Sequence, residues 1–412
     1  MSQPQPSSAG PLSGIRVVDL SNVFSGPMAT ALLADQGALV IKVEAPEGDT
    51  SRIVGPAKGD LSAAFITVNR GKRSIALDLK QPEARTILDA LVRQADVLVS
   101  NFRPGVLARL GLDRPHVQSL NPALIQLSIT GFGPDGPRAE DRAYDAVIQA
   151  VAGVSASHRD KHSGQPGLLS TTVCDKLTAL TAAQAVTAAL FARQRDGQGR
   201  HVEVSMLDAT LAFQWVDAMY NHVFLDAPPQ GFPEIGSTLK PYATADGMVA
   251  VMMPQQSEFA ALCRAVGRPD IAQDPRFSTP QARSRHPAEL RALMEPLMAR
   301  QDTATLEAAG RLEGAPMGRV NERPAVVTDP QVVHNQVLVE FDHGDVGTVR
   351  LARAAARFDG MALGATASAP HLGEHGRAVL QELGFDDGQI DHWISSGLVR
   401  GAAPTHSKRA GA

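Results

Sequence analysis

The sequence predicts an α/β protein with a larger domain built on a parallel sheet and a smaller second domain. Three observations carry this. Residues 15–44 read strand, glycine turn, helix, strand, which is one βαβ unit. The same alternation then recurs as far as residue 205, and each strand ends in a polar or Gly-containing loop. At 412 residues, 43% of them apolar, the chain exceeds one ordinary domain and can bury more than one core.

The elements follow in order. Ile15–Leu20 alternates as a strand, and Ser25-Gly26-Pro27 opens a helix with proline in its first turn. That helix ends at Gly37 before a second strand, Leu39–Val43. The glycine spacing is not the dinucleotide fingerprint, so the unit specifies a sheet and no particular ligand. Ser74–Leu79, Val97–Ser100 and Leu124–Ile129 read as further strands, with a helix over Pro82–Arg93. The loops carrying Asn101, Arg103, Thr130 and Tyr144 would share one crevice at the carboxyl ends of the strands.

Thr171–Cys174 reads as a short extended segment, followed by a helix over Lys176–Arg195 that has no Gly or Pro. Gly197 is the expected stop, and Arg200–Ser205 alternates as the next strand. The helix is apolar almost all round, so it is expected to be buried. Asp175 then stands at its N-cap. Local sequence leaves two roles open: an ordinary cap, or a carboxylate placed for chemistry.

Beyond a helical run at Asp208–Tyr220, composition shifts to Pro and Gly at 226–233. The expected organisation is a tail at 1–11, a large domain from 12–225 and 334–400, a small domain at 226–333 and a tail at 401–412. The small domain carries a strand at Met248–Met253 and helices at 257–266, 287–299 and 304–311.

Composition narrows the function. Net charge is −4, which gives no reason to expect nucleic-acid or membrane partners. Two cysteines, Cys174 and Cys263, form neither a metal spacing nor a disulfide framework, which fits a reducing cytoplasm. There is no Gly-x-Ser-x-Gly elbow and no P-loop. His371 and His375 stand four apart, but Gly373 breaks the helix that would align them for a metal. The cations Lys72, Arg73, Lys80, Arg103, Arg109 and Arg142 near strand ends suit an anionic, phosphate-bearing ligand.

Several stretches together resemble the family III CoA-transferases, the group that includes formyl-CoA transferase and carnitine CoA-transferase. They are Leu12–Leu20, Gly26-Pro27 through Gly37-Ala38 to Glu44, Gly48-Asp49 with Arg52, Asn69–Ser74, Leu77–Lys80, and Asn101–Gly105. Gly131-Phe132-Gly133, Ala143-Tyr144-Asp145, Asp175, Gly197-Gln198-Gly199 and Leu372–His375 complete the set. The resemblance implies a Rossmann-like large domain built from both chain ends, and two subunits interlocked as a homodimer. It implies that Asp175 attacks an acyl-CoA thioester, passing through an aspartyl anhydride and an aspartyl-CoA thioester before CoA reaches an acceptor carboxylic acid. No permanently bound cofactor is implied; the coenzyme A thioester is substrate. Leu77, Lys80, Asn101, Phe102, Arg109, Arg142 and Tyr144 match positions lining the CoA site of formyl-CoA transferase. That enzyme has a glutamine at the position of Phe24, a glycine before the catalytic aspartate where this chain has Cys174, and a small-domain glycine run absent from 226–260. Those departures point away from formate and oxalate. The related α-methylacyl-CoA racemases place a histidine at the position of Tyr144, and some family members that lack the aspartate serve as binding subunits.

Overall fold

A computed structural model describes residues 10–160, 163–226, 240–364 and 368–401. The expected tails at 1–11 and 401–412, apart from residues 10, 11 and 401, and most of the stretch 226–233 lie outside them. The chain forms two compact units, one from Met1–Phe213 with Asn335–Ala412 and the other from Gln214–His334.

The principal elements of the larger unit are β1 (Arg16–Asp19), α1 (Ser25–Asp35), β2 (Leu39–Glu44), α2 (Ala63–Asn69), β3 (Lys72–Ala76), α3 (Ala84–Gln94) and β4 (Val97–Ser100). They continue with α4 (Arg114–Leu120), β5 (Ile125–Thr130), α5 (Asp145–Val151), α6 (Val173–Asp196), β6 (His201–Ser205) and α7 (Met206–Gln214). The six strands form one parallel sheet in the order β3-β2-β1-β4-β5-β6. In register, Val18 lies between Ile41 and Leu98. The chain steps outward from β1 through β2 to β3, then returns to the other side of β1 with β4. That reversal opens a crevice at the carboxyl ends of β1 and β4, where open α/β sheets bind ligands.

The central strands are apolar on both faces, as a sheet covered by helices requires. One face packs against Ile87 and Leu91 of α3 and against Val379, Leu380 and Trp393 from the C-terminal helices Gly376–Glu382 and Asp387–Ser395. The other packs against Leu33 of α1 and Ala179, Ala182 and Val186 of α6. The C-terminal return thus supplies helices to the larger unit. The parallel sheet itself comes from residues 16–205, and among the described residues the return adds only an antiparallel bridge, Leu77 to Val399, beside it.

Two expectations about α6 need correction. The helix begins at Val173 with Thr172 as N-cap, so Asp175 is its third residue and not its cap. Cys174 and Asp175 therefore sit on a helix, with no strand-like alternation between them. The helix is also not buried all round within the chain. Its small residues at three- and four-residue spacing form the inner stripe, while Leu180 and Phe191 remain exposed. Gly197 ends it as expected, in the left-handed region at φ 69°, donating its N–H to the carbonyl of Arg193.

The smaller unit has a three-stranded antiparallel sheet of Tyr242–Ala243, Met248–Val251 and Met317–Arg319. Phe259, Leu262, Phe277, Met294 and Leu306 make its core. Among the described residues no helix is long and apolar enough to cross a membrane.

Candidate active site

The crevice at the carboxyl edge of the sheet is a cavity of about 250 Å³. Asn22, Val23 and Ser25 line it from the β1–α1 turn, and Asn101, Phe102, Arg103 and Pro104 from the loop after β4. Ile129, Thr130 and Gly131 come from the end of β5, and Arg142, Ala143 and Tyr144 from the segment before α5. Asp175 of α6 and Met206 of α7 close it.

A buried polar network fixes the β1–α1 turn. Asp19, at the end of β1, accepts from the Nζ of Lys72 at 2.9 Å and the hydroxyl of Thr30 at 2.7 Å. Lys72 also donates to the carbonyl of Pro27 at 2.8 Å, which pins the first turn of α1. Lys42 pairs with Asp49 at 2.8 Å and donates to the carbonyl of Ser21. Asp49 in turn accepts the N–H of Val23 at 3.0 Å. Val23 is held at φ 69°, a conformation costly for a β-branched residue that persists only when its surroundings over-determine it. Gly26 lets α1 start here, because a Cβ on it would lie 2.3 Å from the side chain of Ser21.

Across the crevice, Asn101 bonds twice to Asn22. Its Oδ1 accepts the N–H of Asn22 at 2.9 Å and its Nδ2 donates to the Asn22 carbonyl at 2.7 Å. The side chain thereby ties together the two loops that flank the reversal of strand order. Gly131 is required where β5 ends, since a Cβ there would lie 2.2 Å from that of Ala143. This close approach holds the segment leading to Tyr144 and Asp145 over the strand end.

Asp175 is only 9% exposed, and what it exposes faces the cavity. Its backbone N–H donates to the carboxylate of Asp145 at 3.0 Å. Asp145 also accepts from the side-chain amide of Gln149, which donates to the carbonyl of Thr171 as well. The Oε1 of Gln149 accepts the N–H of Leu169 at 2.9 Å. Asp145 and Gln149 thus clamp the strap that leads into α6. Burial, followed by the neighbouring Asp145 charge, pushes the Asp175 carboxyl up to about 7, against a small opposing pull from Lys176. A carboxylate so placed is poorly solvated, and a strongly shifted acid in a cleft is a candidate for chemistry. Cys174 is fully buried, and burial pushes its thiol up to about 11, far from a reactive thiolate.

Of the residues expected at the site, Asp175, Asn101, Phe102, Arg142 and Tyr144 meet at this cavity. Leu77 does not: its side chain is fully buried in the core beside α3. Lys80 and Arg109 are exposed and lie outside the cavity lining. Two of the cations proposed for an anion are used inside the protein, Lys72 by Asp19 and Arg73 by Glu382. Arg103 and Arg142 are exposed and form no ion pair among the described residues. His371 and His375 are engaged separately, His371 with Asp60 at 2.6 Å and His375 with the N–H of Ser74. Phe24, at the glutamine position, is the N-cap of α1 and does not line the cavity. Asp145, Gln149, Val23 and Ser25 were not singled out for chemistry from sequence. The i,i+4 spacing of Asp145 and Gln149 was the available signal for a side-chain pair.

A second recess of about 410 Å³ lies in the smaller unit, lined by Met252, Pro316 and Met317 among others. Lys240 is its single ionisable residue, and it holds no candidate nucleophile.

Comparison with known proteins identifies the family and the fold. The family model "CoA-transferase family III" matches residues 12–376. The succinate–glutarate CoA-transferase of Agrobacterium fabrum is 37% identical over 92% of this chain and 97% of its own length. The human succinyl-CoA:glutarate CoA-transferase is 31% identical over 94% of this chain and 90% of its own. Among solved structures, Rv3272 of Mycobacterium tuberculosis superposes with a TM-score of 0.80 at 30% identity, covering 90% of this chain and 99% of that one. A CAIB/BAIF family protein of Brucella suis gives 0.77 at 33% identity, over 91% and 100%. The chain belongs to CoA-transferase family III and is an acyl-CoA:carboxylate CoA-transferase.

Proposed function

We propose that Asp175 is the covalent nucleophile of this transferase. The observation that carries the reading is a single buried carboxylate facing the cavity at the switch point of the sheet, raised to about 7. An oxygen of the ionised Asp175 adds to the carbonyl carbon of the acyl-CoA thioester. The C–S bond breaks, the CoA thiolate leaves with the electron pair, and an aspartyl acyl anhydride remains. The thiolate then attacks the Asp175 carbonyl of that anhydride, releasing the donor acid as its carboxylate and leaving an aspartyl-CoA thioester. The acceptor carboxylate repeats the two steps in reverse and departs as the new acyl-CoA. Poor solvation of Asp175 makes its ionised form a better nucleophile than an exposed carboxylate.

In this reading Asn101, Phe102, Arg142 and Tyr144 position the CoA ester at the cavity. Lys80 and Arg109, exposed beyond it, meet its phosphates, while Leu77 supports that surface from the core. Arg103 and Arg142 suit the free carboxylate of a dicarboxylic acid, so succinate and glutarate, named in the relatives above, are the acceptors to try first. The enzyme works as an intertwined homodimer in the cytoplasm. The exposed apolar face of α6 supports the dimer, because the sequence makes that helix apolar on faces this chain alone does not cover.

The test is chemical trapping. Hydroxylamine added with acyl-CoA should label a peptide containing Asp175, and only when the thioester is present. Asp175→Asn should abolish transfer and labelling while leaving the fold intact. Full activity in Asp175→Asn, or labelling elsewhere, would return attention to racemase-type proton transfer or to a binding subunit.

A further inference from the structure

We propose that the hydroxyl of Ser25 contacts the reacting carbonyl and stabilises the negative oxygen that forms when Asp175 adds to it; this rests on the nucleophile reading above. Ser25 is 3% exposed, and the surface it keeps belongs to the cavity that Asp175 also lines. Among the described residues its hydroxyl has no hydrogen-bond partner, and it does not cap its own helix. Buried hydroxyls are almost always bonded. A hydroxyl at the wall of a reaction cavity without a protein partner is therefore a donor available to a ligand.

Its position strengthens the assignment. Ser25 is the first residue of α1, an 11-residue helix that begins at the cavity. The N–H groups of Ser25 and Gly26 donate to no protein acceptor among the described residues, and Pro27 has none to give. The first intrahelical bond is that of Met28 to the carbonyl of Phe24, at 2.8 Å. Two free amides, the positive end of the helix dipole and one hydroxyl thus share this end of the helix. The turn cannot drift, because Lys72 holds the carbonyl of Pro27 and Asp19 holds Ser21 and Thr30. Donors fixed before the reaction need no reorganisation when charge appears, which is what transition-state stabilisation requires.

The step balances without a proton transfer. As the Asp175 oxygen bonds to the thioester carbon, the carbonyl π pair moves onto oxygen, where the Ser25 O–H donates to it. When the C–S bond breaks, that pair returns and the thiolate carries the sulfur electrons away. Ser25 keeps its proton throughout.

The experiment compares the parent enzyme with Ser25→Ala, Ser25→Cys and Asp175→Asn, using succinyl-CoA as donor and glutarate as acceptor. Covalent loading is followed by intact-protein mass, and kcat and KM by steady-state turnover. Ser25→Ala should lower kcat and the loading rate on the order of 100-fold. KM for the thioester should stay within about threefold and melting temperature should be parental, because the hydroxyl has no structural partner to lose. Ser25→Cys keeps the side-chain size but offers a weak donor, so it should fall similarly and decides the matter if the alanine variant misfolds. Parental kcat in either folded serine variant, or a loss confined to KM, overturns the Ser25 assignment while an inactive, unlabelled Asp175→Asn leaves the nucleophile reading standing. A fully active Asp175→Asn overturns both.

Discussion

At the scale of the residue, Asp175 and Asp145 form the pair that matters. The backbone N–H of Asp175 is bonded to Asp145, so a second negative charge is built in beside the proposed nucleophile, which reacts in its ionised form. Its effect is to raise the Asp175 carboxyl, after burial, the larger cause. Transfer should therefore weaken as pH falls through about 7, where Asp175 takes up its proton. Asp145→Asn removes the neighbouring charge but not the burial. The acid limb of the kcat/KM profile, which reports the free enzyme, should move to lower pH in that variant. The Asp175 N–H and Gln149 bond to different oxygens of Asp145, and asparagine keeps only one of these, so a stability loss of about 1–3 kcal/mol should accompany the shift. An acid limb that stays in place, with the protein folded, would show that burial alone sets the Asp175 carboxyl. Cys174 illustrates why adjacency in sequence is a poor guide: its thiol is sealed in the core while the next residue faces the cavity.

At the scale of the element, most of the sheet was legible in the chain and parts of the site were not. Val97–Ser100 was read to the residue, because a short run of β-branched and apolar residues between polar loops has few alternatives. α2 and α4 went unread, since seven-residue helices hold too few turns to show a period. The start of α6 lies three residues before the expected Lys176 because Val173 and Cys174 resemble a strand locally, and tertiary capping by Asp145 overrides that. Lys72 and Arg73 looked like ligand cations for the same reason that Lys80 did; only the fold reveals that Asp19 and Glu382 lie within reach of them. The buried network under the β1–α1 turn yields a test of its own. Lys72→Met leaves Asp19 charged and fully buried without its 2.9 Å partner. Removing one side of a buried pair costs about 3–5 kcal/mol, so the denaturant midpoint should fall accordingly while the m-value stays parental. An unchanged midpoint would mean that Lys42, close to the same carboxylate, suffices to hold it.

At the scale of the whole molecule, the surface of the larger unit bears on the proposal that the working enzyme is a pair of chains. The sequence makes α6 apolar almost all round, yet the chain covers only its inner stripe. Leu180 is 53% exposed and Phe191 63%, on a helix whose first turn carries Asp175, the proposed nucleophile. Ile53, in the short 3-10 turn after Asp49, is 81% exposed. Isolated apolar residues on a surface are ordinary, but large ones along one helix face support the proposal that a partner covers it. The proposed occupant is a second copy of this chain, as in the interlocked pair that the family resemblance implies. Sedimentation equilibrium should then report twice 43.5 kDa, with no monomer at micromolar protein. Replacing Leu180 and Phe191 together with Glu should weaken association, because two charges would have to be desolvated at the interface. Since both side chains are exposed within the chain, their replacement leaves the core stripe of Ala179, Ala182 and Val186 as it was. The variant should therefore shift towards 43.5 kDa with the far-ultraviolet spectrum of a folded α/β protein. A parent enzyme that sediments as a stable, active monomer would rule out the intertwined dimer and leave the outer face of α6 without the partner proposed for it.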